Sequence, residues 1–258
     1  IIVAGGPCTY NPEPLAEYFD LFCLGESEES VQLLADTIIA WKKAGKPGGK
    51  KGLLKTLAMQ KGNYVPAFYE PRYDSDGNFL ALVPTEAEAK TCIEKCVVAD
   101  EETVFYPTEP IVPNIDIVHN RAVVELFRGC SRGCRFCQAG VLYRPVREKT
   151  PEHLADLAEQ IVKNSGYDEI SLMSLSSADY SRLPELVDLL LERFKGKKVS
   201  VSLPSLRVDS FSVDIAKKVQ QVRKSGLTFA PEAGTQRLRD VINKGVTEKD
   251  LLDACENA

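Results

Sequence analysis

The sequence has no apolar run of transmembrane length, and it does not open with a charged stretch followed by a hydrophobic one. A membrane-spanning helix and a secretory leader are therefore not expected. It also has no basic excess. Its 32 Lys and Arg stand against 37 Asp and Glu, a formal net charge of −5, so nothing indicates sequence-independent binding of nucleic acid. Histidine is scarce, with only His119 and His153. The composition is 44% hydrophobic and 27% charged, which is ordinary for a globular protein. A soluble, cytoplasmic chain is the expectation, and 258 residues can bury a sizeable core in one large domain or two modest ones.

Against these absences stand eight cysteines. In a secreted chain they would suggest disulfides, but in a reducing cytosol clustered thiols more often bind metal. Cys8, Cys23 and Cys255 are isolated and read as small buried hydrophobes. Cys92 and Cys96 form a C-x3-C pair with no further cysteine nearby, too few for an auxiliary cluster. The remaining three lie in Arg128-Gly-Cys130-Ser-Arg-Gly-Cys134-Arg-Phe-Cys137.

The pattern along the chain is α/β. Residues 1–43 read as strand, glycine turn, helix, strand, glycine turn, helix, with strands at Ile1–Ala4 and Tyr18–Leu24 and a helix over Gln32–Lys43. Residues 44–121 change character. Gly45-Lys46-Pro47-Gly48-Gly49, Asp74-Ser75-Asp76-Gly77 and Pro107, Pro110 and Pro113 mark a linker, with a helix near 51–60 and a hairpin. From 122 the alternation is regular. Strands are expected at Ala122–Phe127, Glu169–Leu175, Lys198–Leu203 and Leu227–Ala230. Helices are expected at Pro151–Asn164, Leu183–Phe194, Val213–Ser225, Thr235–Ile242 and Glu248–Glu256, the first with Thr150 as N-cap. Four successive β/α units imply a curving parallel sheet but cannot close an eight-stranded barrel. The chain begins at Ile1 in what reads as a strand and stops at Ala258 inside a helical pattern, so a piece of a longer protein is the expectation.

The three clustered cysteines follow the first strand of the second half, at the strand end where α/β folds bind ligands. Gly129 and Gly133 let the loop turn tightly enough to aim three sulfurs at one centre. An electron-carrier cubane normally takes four Cys, and a structural zinc site four ligands. Three thiolates on a cubane leave one iron open. The amino and carboxylate groups of S-adenosylmethionine can chelate that iron, and electron transfer to the sulfonium then yields a 5′-deoxyadenosyl radical. A zinc site, or an iron–sulfur redox site completed by a remote Cys or His, is the non-enzymatic alternative.

The spacing C-x3-C-x2-C, with Phe136 just before the third Cys, resembles the signature of radical S-adenosylmethionine enzymes. Gly5-Gly6-Pro7, Phe19-Asp20 and Gly25-Glu26 resemble the end of the cobalamin-binding domain that precedes many of them. Tyr64-Val65-Pro66, Tyr143-Arg-Pro-Val-Arg147, Ser174-Leu-Ser-Ser177-Ala-Asp-Tyr180 and Phe229-Ala-Pro-Glu232-Ala-Gly234 resemble one subfamily of B12-binding-domain radical proteins. The implied fold is the C-terminal part of a Rossmann-like cobalamin-binding-type domain (1–43), the linker (44–121), and an incomplete partial (β/α)6 TIM-type barrel (122–258). The implied metal ligands are Cys130, Cys134 and Cys137 on a [4Fe–4S] cluster. S-adenosyl-L-methionine is the second cofactor, and a reducing donor such as flavodoxin or ferredoxin is the partner. If cobalamin is also bound, methyl transfer through cobalt is the natural extension. A D-x-H-x-x-G lower-ligand motif would precede Ile1, and neither histidine stands in one.

Other residues are candidates for cofactor contact. Glu232 follows the fourth expected strand, where a carboxylate can accept from ribose hydroxyls; a helix N-terminal acid is the plainer reading. Ser174, Ser176 and Ser177 follow the second strand, where hydroxyls can donate to the methionine carboxylate, or simply form a turn. Ser205 and Arg207 end the third. Arg207 is placed against adenosine or carboxylate, with a surface ion pair as the alternative. Gly5 and Gly6 allow close approach to the cobalamin nucleotide tail. Arg128 to Lys149 holds six basic residues against Glu148 alone; charge balance for a negative cluster is favoured there over a grip on an anionic substrate.

Overall fold

A computed structural model describes the chain apart from residues 116, 205–206, 211–212, 221–227 and 258. The chain divides into two units, Ile1–Ala99 and Asp100–Ala258.

In the first unit, β1 (Val3–Ala4) runs parallel to β2 (Leu21–Cys23), and β3 (Asn63–Tyr64) adds antiparallel on the other side of β2. Two short 3₁₀ turns, Pro7–Tyr10 and Glu13–Leu15, join β1 to β2 where a helix was expected. Prolines at their starts fix φ but supply no backbone donor, which favours such brief turns. Helix α1 (Ser30–Lys43) agrees closely with expectation, and α2 (Gly49–Ala58) lies near the expected 51–60. The hairpin also forms. Its strands β4 (Tyr69–Tyr73) and β5 (Phe79–Pro84) meet at a turn in which the Asp74 carboxylate accepts from the Asp76 and Asn78 amides.

The stretch 44–121, expected as a linker, is shared between the units. Leu53, Leu54 and Leu57 of α2 join Leu21, Val65 and Phe68 in a buried cluster. The spacing of those three leucines puts them on one helix face.

The second unit carries a three-stranded parallel sheet in the order β10-β9-β6, with β6 at Ala122–Glu125, β9 at Glu169–Met173 and β10 at Ser200–Ser202. A two-residue strand β7 (Phe127–Arg128) follows β6 and pairs antiparallel with β8 (Arg147–Glu148); the short helix α3 (Ala139–Leu142) lies between them. Helices α4 (Pro151–Ser165) and α5 (Leu183–Arg193) connect β6 to β9 and β9 to β10. Thr150 caps α4 as expected, its hydroxyl accepting from the His153 amide. Val124, Leu126, Leu154, Ile170, Leu172, Leu186 and Leu190 are fully buried where these helices meet the sheet. Burial of such a side chain contributes about 1.5–3 kcal/mol, so this sheet–helix layer is the rigid platform of the unit.

Helices α6 (Val213–Val219), α7 (Gln236–Val241) and α8 (Glu248–Asn257) follow. The rest of the helix expected through Ser225 lies outside the described residues, apart from Gln220. The fourth strand does not appear at Thr228–Ala230, and Leu227 lies outside the described residues. Phe229 packs instead with Val208, Val246, Leu251 and Ala254, and Pro231 removes the next ladder donor. No helix of the described residues is long and apolar enough to cross a membrane.

Candidate metal centre

The cysteine loop leaves the sheet at the carboxyl end of β6 and is closed at its neck by the β7–β8 pair, with Phe127 opposite Glu148 and Arg128 opposite Arg147. Gly129 belongs to this neck. Its φ is +93°, and a Cβ there would stand 2.5 Å from the Pro145 carbonyl oxygen and 2.8 Å from that of Tyr143. No other residue fits so close an approach.

Glu101 sits beneath the neck with its side chain 1% exposed. Its carboxylate faces Lys149 Nζ at 3.3 Å, Arg147 Nη1 at 3.1 Å and Arg128 Nε at 3.6 Å. Arg128 also donates to Glu125, through Nε at 3.1 Å and Nη2 at 3.0 Å. Half of the basic run is thus consumed as neck structure.

The thiols of Cys130, Cys134 and Cys137 are free and half-buried. Arg132, between the first two, bridges two short 3₁₀ turns, Ser177–Asp179 and Val208–Ser210. It grips Asp179, after β9, through Nε at 2.7 Å and through Nη2, and it donates from Nη1 to Asp209, after β10, at 3.0 Å. The Asp179 hydrogen bond raises the Arg132 guanidinium above its ordinary value. Burial pushes the Asp179 carboxyl up, but Arg132, with Ser176 and Arg207 beside it, outweighs burial and leaves that carboxyl below its ordinary value.

Arg207 donates from Nε to Asp209 Oδ1 at 2.9 Å and from Nη2 to the Lys244 carbonyl at 2.6 Å, while Nη1 lies 3.8 Å from Cys134 Sγ. From the other side the segment after α7 docks on the loop. Asn243 Nδ2 donates to the Gly133 carbonyl at 2.9 Å, and the Arg135 amide donates to the Ile242 carbonyl at 2.9 Å.

The remaining candidates are placed as follows. Phe136 is 55% exposed, with the Lys244 ammonium 6.0 Å from its ring centroid. Ser174, after β9, donates to Ser177 Oγ at 3.2 Å and accepts from the Ser176 amide at 3.2 Å, so turn chemistry is satisfied there. The Ser176 hydroxyl is buried beside Asp179 without a hydrogen-bond partner of good geometry.

Glu232 does not start a helix. Thr235 caps α7, and Glu232 stands three residues earlier with φ +68° and its carboxylate 3.0 Å from Lys244 Nζ. Gly5 and Gly6 follow β1 in the first unit, and added Cβ atoms there would meet nothing within 4 Å. Ser205 lies outside the described residues. Asp209, Asn243 and Lys244 were not singled out in the sequence, and Asp179 appeared only within the Ser174–Tyr180 run. The available signal for Asp209 was its place two residues beyond Arg207.

Among the described residues, no three His, Cys, Asp or Glu side chains stand together as a site for one metal ion. A cubane asks for something different, because its thiolates bind separate irons and are spread across the cluster. The donor set fits that demand. It offers three soft thiols within eight residues, a pinned loop, and a guanidinium turned toward one sulfur.

Residues 1–66 match the N-terminal region of radical SAM proteins. Over its whole length the chain is 29% identical to the uncharacterized protein MJ0966 of Methanocaldococcus jannaschii, covering 48% of that protein. It is 24% identical over 62% of its length to "Putative methylthiotransferase MJ0865" of the same organism, covering 39% of it. The chain thus spans half or less of the length of these relatives. In fold it is similar to the radical S-adenosylmethionine methyltransferase TsrM from Kitasatospora setae, solved with cobalamin and a [4Fe–4S] cluster. The TM-score is 0.57 at 14% identity, over 98% of this chain and 48% of the other. Residues 124–258, more than half of the chain, match the radical SAM superfamily, and the chain belongs to that superfamily.

Proposed function

We propose that Cys130, Cys134 and Cys137 hold a [4Fe–4S] cluster and that the protein uses it to cleave S-adenosylmethionine reductively. The observation that carries this reading is the placement of three half-buried thiols on one pinned loop at the carboxyl edge of a parallel sheet. When bound, the cluster supplies the electron that splits the sulfonium into methionine and a 5′-deoxyadenosyl radical, with an external donor such as flavodoxin or ferredoxin reloading it.

The chain's own residues bind and orient. The Glu101 carboxylate and the β7–β8 pair fix the neck of the loop, and Arg132 fixes its crown to Asp179 and Asp209 in the turns after β9 and β10. Ser174 and Ser176, which follow β9, are assigned with Phe136 and Glu232 to S-adenosylmethionine. In this reading residues 122–258 are the opening part of a partial (β/α) barrel. Residues 1–43 are the end of a cobalamin-type domain, with Gly5 and Gly6 toward the cobalamin tail. The match to a cobalamin-carrying methyltransferase supports methyl transfer as the outcome.

The test is anaerobic reconstitution of the full-length protein. Wild type should take up about four irons and four sulfides, the composition of a cubane, and should release 5′-deoxyadenosine from S-adenosylmethionine after reduction. Cys130→Ala, Cys134→Ala and Cys137→Ala should each lose both properties. A colourless wild type carrying stoichiometric zinc, or unchanged iron in all three variants, overturns the proposal.

A further inference from the structure

We infer that Arg207 sets the reduction potential of the cluster through the Cys134 thiolate, with Asp209 as the carboxylate that partly offsets its charge. This rests on the ligation proposed above. Arg207 is not a free surface cation. Its side chain is 11% exposed, and three contacts fix the planar fork: Asp209 at 2.9 and 3.3 Å and the Lys244 carbonyl at 2.6 Å. That arrangement leaves Nη1 directed at Cys134 Sγ, 3.8 Å away. Arginine suits this task because its fork is rigid and its charge does not titrate away.

The sign of the effect follows from charge. One-electron reduction makes a thiolate-bound cluster more negative, and an N–H donor or a positive charge at a ligand sulfur stabilises the reduced form and raises the potential. The surroundings decide the net field, because Arg207 and Arg132 share Asp209 while Arg132 also holds Asp179. Two guanidiniums and two carboxylates balance. Loss of the Arg207 charge leaves the group with a net charge of −1 beside the cluster. Loss of the Asp209 charge leaves it at +1. The two substitutions must therefore move the potential in opposite directions.

The experiment is a potentiometric titration of the reconstituted full-length protein, with titanium(III) citrate as reductant. It is followed by paramagnetic resonance without S-adenosylmethionine, with iron and sulfide counted in parallel. Arg207→Gln should shift the reduction equilibrium at least tenfold against the reduced cluster, a fall of 59 mV for a one-electron couple. Asp209→Asn should raise the potential. Arg207→Lys, which keeps the charge but loses the fork, should lie between Arg207→Gln and wild type.

If Arg207→Gln assembles no cluster, the Lys and Asn variants carry the comparison. A potential unchanged in Arg207→Gln, as expected if Arg207 served only the carboxylate of S-adenosylmethionine, overturns the inference. So does a shift of the same sign in Arg207→Gln and Asp209→Asn, the mark of a general disturbance. A wild type that assembles no cluster instead overturns the ligation itself.

Discussion

Replacing Glu101 by Gln removes one charge from the least exposed ionic group at the neck of the cysteine loop, while nearly preserving its shape. Among the described residues, Arg128, Arg147 and Lys149 stand around it, with Glu101 and Glu125 as anions. The substitution makes the group more positive by one charge. Both Glu101 and Lys149 have side chains only 1% exposed, so water does not screen the change. Leaving a buried charge uncompensated costs about 3–5 kcal/mol, whereas an exposed pair contributes at most about 1. For a unit of this size that corresponds to a fall in melting temperature of roughly 6–20 °C. The assay is urea or thermal unfolding, with hydrogen exchange at the β7 and β8 amides to locate the loosening. The double variant Glu101→Gln with Lys149→Met should recover part of the loss, because the two sites are directly coupled. A destabilisation below about 1 kcal/mol, or exact additivity in the double variant, would refute the account of the neck.

Asp179 gives a pH signature. Its folded pKa is depressed, because Arg132, Ser176 and Arg207 together outweigh the opposing effect of burial. Its contribution to stability is therefore present above the unfolded value of about 3.9 and is lost as pH falls through the lower folded value. Asp179→Asn should be less stable than wild type at pH 7, and the gap should close below about pH 4; urea titrations with the same gap at pH 3 and pH 7 would contradict this. Glu232 tests backbone strain separately from charge. Glu232→Gly and Glu232→Gln both lose the ion pair with Lys244, but only Gly adopts φ +68° without penalty. The Gly variant should therefore be the more stable of the two by about 0.5–1 kcal/mol in urea unfolding, and a less stable Gly variant would refute strain at this position.

How much of this was legible in the sequence depends on how local each cause is. The Thr150–Pro151 start of α4, the Asp74–Gly77 turn, the strands β6, β9 and β10 and the helices α4 and α5 were legible, because caps, turn residues and apolar periodicity act within a few residues. The fourth strand was misread at Thr228–Ala230. A short apolar run cannot announce whether its side chains will face a sheet neighbour or, as Phe229 does, a separate cluster with Val246 and Ala254. Within 44–121 the helix near 51–60 and the hairpin were legible, but the burial of that helix was not. Glycine and proline punctuation dominates that stretch, yet Leu53, Leu54 and Leu57 are enough to commit α2 to a core.

The cysteine spacing is local, and so it was visible; what orders the loop is not. Arg132 meets Asp179 and Asp209 across 47 and 77 positions, Lys149 meets Glu101 across 48, and Asn243 reaches Gly133 across 110. Each partner is an ordinary charged or polar residue when read alone. Closing such long loops costs chain entropy that no single contact repays, so the contacts must form together, on a sheet already built. That dependence explains why the three thiols stand on the carboxyl edge of the most deeply buried part of the fold. It also ties the charge beside Cys134 to the 3₁₀ turn Val208–Ser210, because Asp209 there holds the Arg207 fork.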